Sequence, residues 1–125
     1  MTTLLQVKGL CAGYGAAKVL FGVDFSVKEG EVVTLLGRNG MGRSTTIKCL
    51  FGLLRASAGT IEFAGQRVEN RPAFDIAQRG LGLVPEGRQV FPNLTVEENL
   101  VATAREKAAK GLRAWSLDRV YAFFP

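Results

Sequence analysis

A chain of 125 residues, 47% of them apolar, suffices for one globular domain that buries about two thirds of its unfolded surface. None of its apolar runs approaches the ~20 residues needed to cross a bilayer, histidine is absent, and Cys11 and Cys49 stand far apart, which excludes histidine bases and triads and argues against a zinc site. The net charge of +5 comes from sixteen basic residues interleaved with eleven acids, without a basic run, so nucleic acid is not an expected partner.

The first residues, Met1-Thr2-Thr3-Leu4-Leu5-Gln6, contain no basic leader and no long apolar core, and a cytosolic chain with reduced thiols is expected. Residues 4–10 alternate as a strand and end in Cys11-Ala12-Gly13-Tyr14-Gly15, a glycine-flanked aromatic and the one residue there able to stack. A second strand is expected over 19–27. Lys28-Glu29-Gly30 then reads as the turn of a hairpin leading into a central strand over 32–36.

That strand runs into Gly37-Arg38-Asn39-Gly40-Met41-Gly42-Arg43-Ser44-Thr45, and a helix follows over 44–51 with Ile47, Leu50 and Phe51 at helical spacing and Gly52 as its stop. Three glycines allow successive backbone N–H groups to turn toward one point, where a phosphate would also meet the positive end of the helix. The segment fits G-x-x-x-x-G-K-[ST] except that Arg43 stands at the lysine position. Arginine keeps the charge but replaces a compact ammonium by a wider planar fork. Ser44 sits where a Mg²⁺ ligand belongs.

Further on, 60–63 and 66–68 read as a hairpin around Ala64-Gly65, and Pro72 opens a short helix to about Arg79 with Phe74, Ile76 and Ala77 on its apolar side. Residues 81–84 are a short apolar strand, followed by a long loop, 85–94, that holds Glu86, Arg88 and Gln89. Thr95-Val96-Glu97-Glu98 is a capping box for a helix expected to reach about Lys110, and a last helix over 116–124 places Leu117, Val120, Tyr121 and Phe124 on one face. The stretches 32–36 and 81–84 are apolar on both faces, as central parallel strands are. Two such strands do not make a buried sheet alone, so the chain reads as the first part of a larger domain.

Gly13-Tyr14-Gly15, the run 37–45, S-A-G-T-I at 57–61 and above all V-P-E-G-R-Q-V-F-P-N-L-T-V-E-E-N-L at 84–100 resemble the nucleotide-binding subunit of ABC transporters. They are most similar to the F-type (LivF) ATP-binding subunit of branched-chain amino acid importers. The resemblance implies an α/β fold, a P-loop NTPase-like domain in which residues 1–125 supply the N-terminal portion: an antiparallel β subdomain plus part of the parallel core sheet with helices. It implies ATP and Mg²⁺ as cofactors, Tyr14 stacking on adenine, Gly37, Arg38, Asn39, Gly40, Met41, Gly42, Arg43, Ser44 and Thr45 around the phosphates, and Ser44 and Glu86 at the metal. It further implies transmembrane permease subunits met near 86–94, a second ATP-binding subunit, and a peripheral place at the inner face of the plasma membrane.

The family's L-S-G-G-Q signature, its second acidic strand with the catalytic glutamate and its switch histidine do not occur in these 125 residues. An ATPase subunit represented by its N-terminal part is therefore the first reading. A non-catalytic nucleotide-binding or interaction module is the second, and a different P-loop enzyme with Arg88 as a phosphate clamp is the third.

Overall fold

The computed structural model describes residues 2–37, 42–85, 87, 89–102, 104 and 115–125, and the chain divides into two compact units, Met1–Leu83 and Val84–Pro125. The first unit is built on a four-stranded antiparallel sheet of β1 (Thr3–Tyr14), β2 (Ala17–Lys28), β3 (Ala58–Phe63) and β4 (Gln66–Arg67), in the spatial order β2-β1-β3-β4. Helices α1 (Arg43–Leu50) and α2 (Ala73–Gln78) belong to the same unit. The second unit contains α3 (Val96–Ala102) and α4 (Leu117–Phe123).

The core of the first unit gathers Val7, Leu10 and Ala12 of β1, Leu20 of β2 and Ile61 of β3 with Cys49 and Leu50 of α1. Val7 and Leu10 are an odd number of residues apart, so an unbroken strand would send them to opposite faces. A register irregularity falls between them, where Gly9 takes a left-handed φ of 60°. That bulge brings both side chains to the core face, and the Asp24 carboxylate on β2 accepts the Gly9 N–H at 2.5 Å. Full burial of a valine or leucine side chain stabilises by about 1.5–3 kcal/mol.

The hairpins are set by their turns. β1 and β2 meet through Gly15-Ala16, with Tyr14 opposite Ala17, so both strands are longer than the sequence suggested and Tyr14 ends a strand instead of lying on a loop. In the β3–β4 hairpin, Ala64 and Gly65 both have positive φ, 51° and 80°, the geometry of a type I′ turn. The Asn70 amide clasps Ala56, its Oδ1 accepting from Ala56 N at 2.7 Å and its Nδ2 donating to Ala56 O at 3.1 Å. This clasp joins the segment after α1 to the one before α2.

The expected central strands are absent among the described residues. Residues 31–37 and 81–85 have no regular structure, and Val32 and Val84 are 93% and 95% exposed. An apolar extended segment becomes a strand only by pairing its backbone groups with a neighbour, and neither stretch pairs with any described strand. Periodicity recognised the segments as sheet-forming but could not supply a partner. The hairpin expected at Lys28-Glu29-Gly30 is likewise a turn that leads into irregular chain rather than into a second strand. On α2, Ile76 is buried while Phe74 and Ala77 are exposed.

In the second unit the capping box forms as its sequence predicts: Thr95 N donates to Glu98 Oε1 at 2.9 Å, and Glu98 N donates to Thr95 Oγ1 at 3.1 Å. Hydrogen bonds from Thr95 hold the Glu98 carboxyl below the usual glutamate range. The predicted extension of α3 through 105–110 lies outside the described residues. Ser116 caps α4 by accepting from Arg119 N. No residue of α4 is fully buried, and Tyr121 and Phe124 of its predicted apolar face are exposed.

Two outcomes test this account. A Cβ on Gly59 would lie 2.5 Å from the Gly9 carbonyl oxygen at φ 95°, whereas one on Gly65 would meet nothing within 4 Å at φ 80°. In urea unfolding, Gly65→Ala should cost about 1–2 kcal/mol of backbone strain, and Gly59→Ala distinctly more; equal losses would refute the close approach of β1 and β3. Separately, carboxyl titration by NMR should place the Glu98 midpoint below that of an ordinary glutamate, and Thr95→Ala should raise it. A depressed folded value means that the cap stabilises the fold above the unfolded glutamate value and is lost as pH falls through the folded one.

Candidate functional site: the start of helix α1

The site is built on Gly42, the N-cap of α1, whose φ of 98° falls in the left-handed region that favours glycine. Its carbonyl accepts two bonds from one residue, Thr46 N at 2.8 Å and Thr46 Oγ1 at 2.7 Å. Thr45 and Thr46 are both buried, and the Thr46 hydroxyl fastens the first turn. A Cβ on Gly42 would lie 2.7 Å from the Leu20 methyl, which shows how closely the loop's end is seated on β2.

Among the described residues no side chain caps the start of α1, and its first turn has no acidic residue. The positive end of the helix dipole is therefore not neutralised by a carboxylate of that turn and remains suited to an anion. Arg43 and Ser44 are exposed on this turn. Gly37 lies in the irregular approach to it, while Arg38, Asn39, Gly40, Met41 and Glu86 lie outside the described residues.

Tyr14 reaches the site from the sheet. Its hydroxyl is 3.4 Å from Thr45 Oγ1, the Lys48 ammonium stands 5.6 Å from its ring centroid, and 47% of its surface is exposed. The Thr45 hydroxyl, then the Lys48 cation, pull the phenol below its ordinary pKa against the opposing effect of burial. Tyr14, Gly42 and Thr45, named separately from sequence, are thus brought together at one end of α1. Two contributors were missed. Lys48 follows Thr45 by three residues, a spacing that shares a helix face, and Thr46, one residue beyond the motif, turns its hydroxyl back to the glycine carbonyl.

In the second unit, Asn99 organises the loop before α3. Its Oδ1 accepts from Phe91 N at 2.9 Å, and its Nδ2 lies 3.2, 3.3 and 2.9 Å from the carbonyl oxygens of Phe91, Leu94 and Thr95. The polar amide holds the loop while Val90 and Phe91 stay exposed. Cys11 and Cys49 are both free thiols, and burial pushes the Cys49 pKa up.

Comparison with known proteins places these features in context. The ABC transporter family matches residues 20–122. The high-affinity branched-chain amino acid transport ATP-binding protein BraG of Pseudomonas aeruginosa is 45% identical over 87 residues, covering 70% of this chain and 37% of that protein. The lipopolysaccharide export system ATP-binding protein LptB of Haemophilus influenzae is 38% identical over 100 residues, covering 80% of this chain and 42% of its own length. A solved ATP-binding subunit of an ABC transporter superposes with a TM-score of 0.67 at 41% identity, covering 76% of this chain and 39% of that one. The chain thus spans about two fifths of the length of these two relatives.

The double acceptance at Gly42 sets a measurable expectation. Thr46→Val keeps the shape and the backbone bond but removes the hydroxyl donor, and should cost about 0.5–1.5 kcal/mol in chemical denaturation. Gly42→Ala should cost about 1–2 kcal/mol for the left-handed backbone and add the displacement of Leu20. A Thr46→Val protein as stable as the parent would show that the hydroxyl does not fasten the turn.

Proposed function

The chain belongs to the ABC transporter family, and from that membership we propose that it is the nucleotide-binding portion of an ATP-binding subunit that energises import of branched-chain amino acids. The observation that carries the reading is the meeting of Tyr14 with the uncapped, acid-free start of α1. An aromatic surface and an anion-attracting helix end face one locality, which suits a molecule with a flat base at one end and phosphates at the other. The amino acid cargo rests on the identity to BraG; LptB, named for lipopolysaccharide export, has a lower identity.

In this reading the backbone around Gly37, Arg38, Asn39, Gly40, Met41 and Gly42 cradles phosphate oxygens, Arg43 supplies positive charge, and Thr45 donates from the first turn. Ser44 is exposed at the position where its hydroxyl would hold Mg²⁺, and Glu86 would complete that site. Bound Mg²⁺ would offset charge on the phosphate oxygens. The segment 86–94, with Val90 and Phe91 exposed and the loop pinned by Asn99, would meet a transmembrane permease. A second ATP-binding subunit would complete the nucleotide site, and the assembly would sit at the inner face of the plasma membrane. Among the described residues no helix is long and apolar enough to cross a membrane.

The 125 residues hold the phosphate-binding part but neither a signature sequence nor a histidine. Groups that orient water and stabilise charge on a transferring phosphoryl are worth several powers of ten in rate. The chain alone should therefore bind Mg·ATP weakly and release phosphate no faster than background. In a fluorescent-nucleotide titration Arg43→Lys should tighten binding, because a compact ammonium fits beside two phosphates where the guanidinium crowds them. Phosphate release that disappears in Ser44→Ala would instead identify a self-sufficient P-loop enzyme.

A further inference from the structure

The ring of Tyr14 is held at two points, and only one belongs to the glycine loop's own motif. Its hydroxyl meets Thr45 Oγ1 at 3.4 Å, while the Lys48 ammonium, one helical turn further along α1, stands 5.6 Å from the ring centroid. A cation within about 6 Å of an aromatic face is attracted by the ring's quadrupole. The hydroxyl contact and the ammonium together restrict the ring, and 47% of the residue's surface stays exposed to a partner.

We propose that Lys48 is a positioning residue for nucleotide: it holds the Tyr14 ring in the orientation in which the opposite face stacks on the base. This rests on the reading of Tyr14 as the base-stacking residue. The competing account is that Lys48 only complements the negative end of α1, in whose last turn it lies, or attracts ATP as one more positive charge. Both alternatives act without Tyr14. The positioning role acts through it.

That difference fixes the test. In fluorescent-ATP titrations of the full chain, Tyr14→Leu should weaken binding by about 5- to 150-fold, the range of aromatic–base stacking. Lys48→Met, which keeps a long apolar stem without the charge, should weaken it by about two- to five-fold, and Lys48→Arg should restore it. Lys18→Met is the charge control, since Lys18 makes the same kind of pair with the Phe21 ring on β2 at 5.3 Å; it should leave affinity unchanged. In the Tyr14→Leu background, Lys48→Met should have no further effect.

A second readout needs no nucleotide. With Tyr121→Phe removing the chain's other tyrosine, alkaline titration of phenolate absorbance reports Tyr14 alone. The groups that act on it are Thr45, Lys48 and Cys49. Lys48→Met should move its midpoint upward, because the ammonium favours phenolate. An unmoved midpoint, or a Lys48→Met loss that persists in full in the Tyr14→Leu background, would overturn the proposal while leaving the stacking reading intact. Unchanged affinity in Tyr14→Leu would overturn the stacking reading itself, and the positioning role with it.

Discussion

The first unit depends on one carbonyl. The Gly42 oxygen takes both the amide and the hydroxyl of Thr46, one on each lone pair, and the glycine itself adopts a left-handed φ that side-chain-bearing residues reach only at a cost. Those two bonds start α1 at a fixed residue. The position of the start then determines which side chains of α1 point where: Thr45, Thr46, Cys49 and Leu50 inward, Lys48 along the edge, Arg43 and Ser44 outward.

The sheet exists for the other half of the geometry. The bulge at Gly9 lets β1 bury Val7 and Leu10 on one face, and the strand continues to Tyr14 before the two-residue turn. At that end the two strands approach so closely that a Cβ on Gly13 would lie 2.1 Å from the Ala17 carbonyl oxygen. Tyr14 is therefore held by a paired strand end, and its approach to Thr45 follows from strand pairing and core packing rather than from a flexible loop. A stacking group attached to a fixed backbone loses less conformational freedom when a partner arrives.

Local chemistry was legible in the sequence wherever the relevant partner lies within a few residues. The capping box at Thr95 and Glu98, the Ala64-Gly65 turn and the end of α1 at Gly52 are set by near neighbours. Pairing at long range was not. The stretches 32–36 and 81–84 have strand composition, yet composition carries no information about a ladder partner, and among the described residues they remain irregular. The same limit explains Lys48: nothing in the sequence links it to Tyr14, 34 positions away, until the helix and the strand end are packed together.

The departure at Arg43 bears on how the site divides its labour. A glycine-rich turn offers backbone N–H groups whose direction is fixed by φ and ψ, so exchanging a neighbouring side chain leaves those donors in place. The helix end acts through the same backbone and is likewise indifferent to the exchange. In the proposed nucleotide site, what an arginine alters is the shape of the charge set beside the phosphates. In the proposed reading the fixed elements, Gly42, the Thr46 bonds and the tethered Tyr14 ring, would serve recognition of a nucleotide. In that reading, exchange at position 43 tunes affinity, while turnover makes the further demand of orienting water and stabilising charge on the transferring phosphoryl.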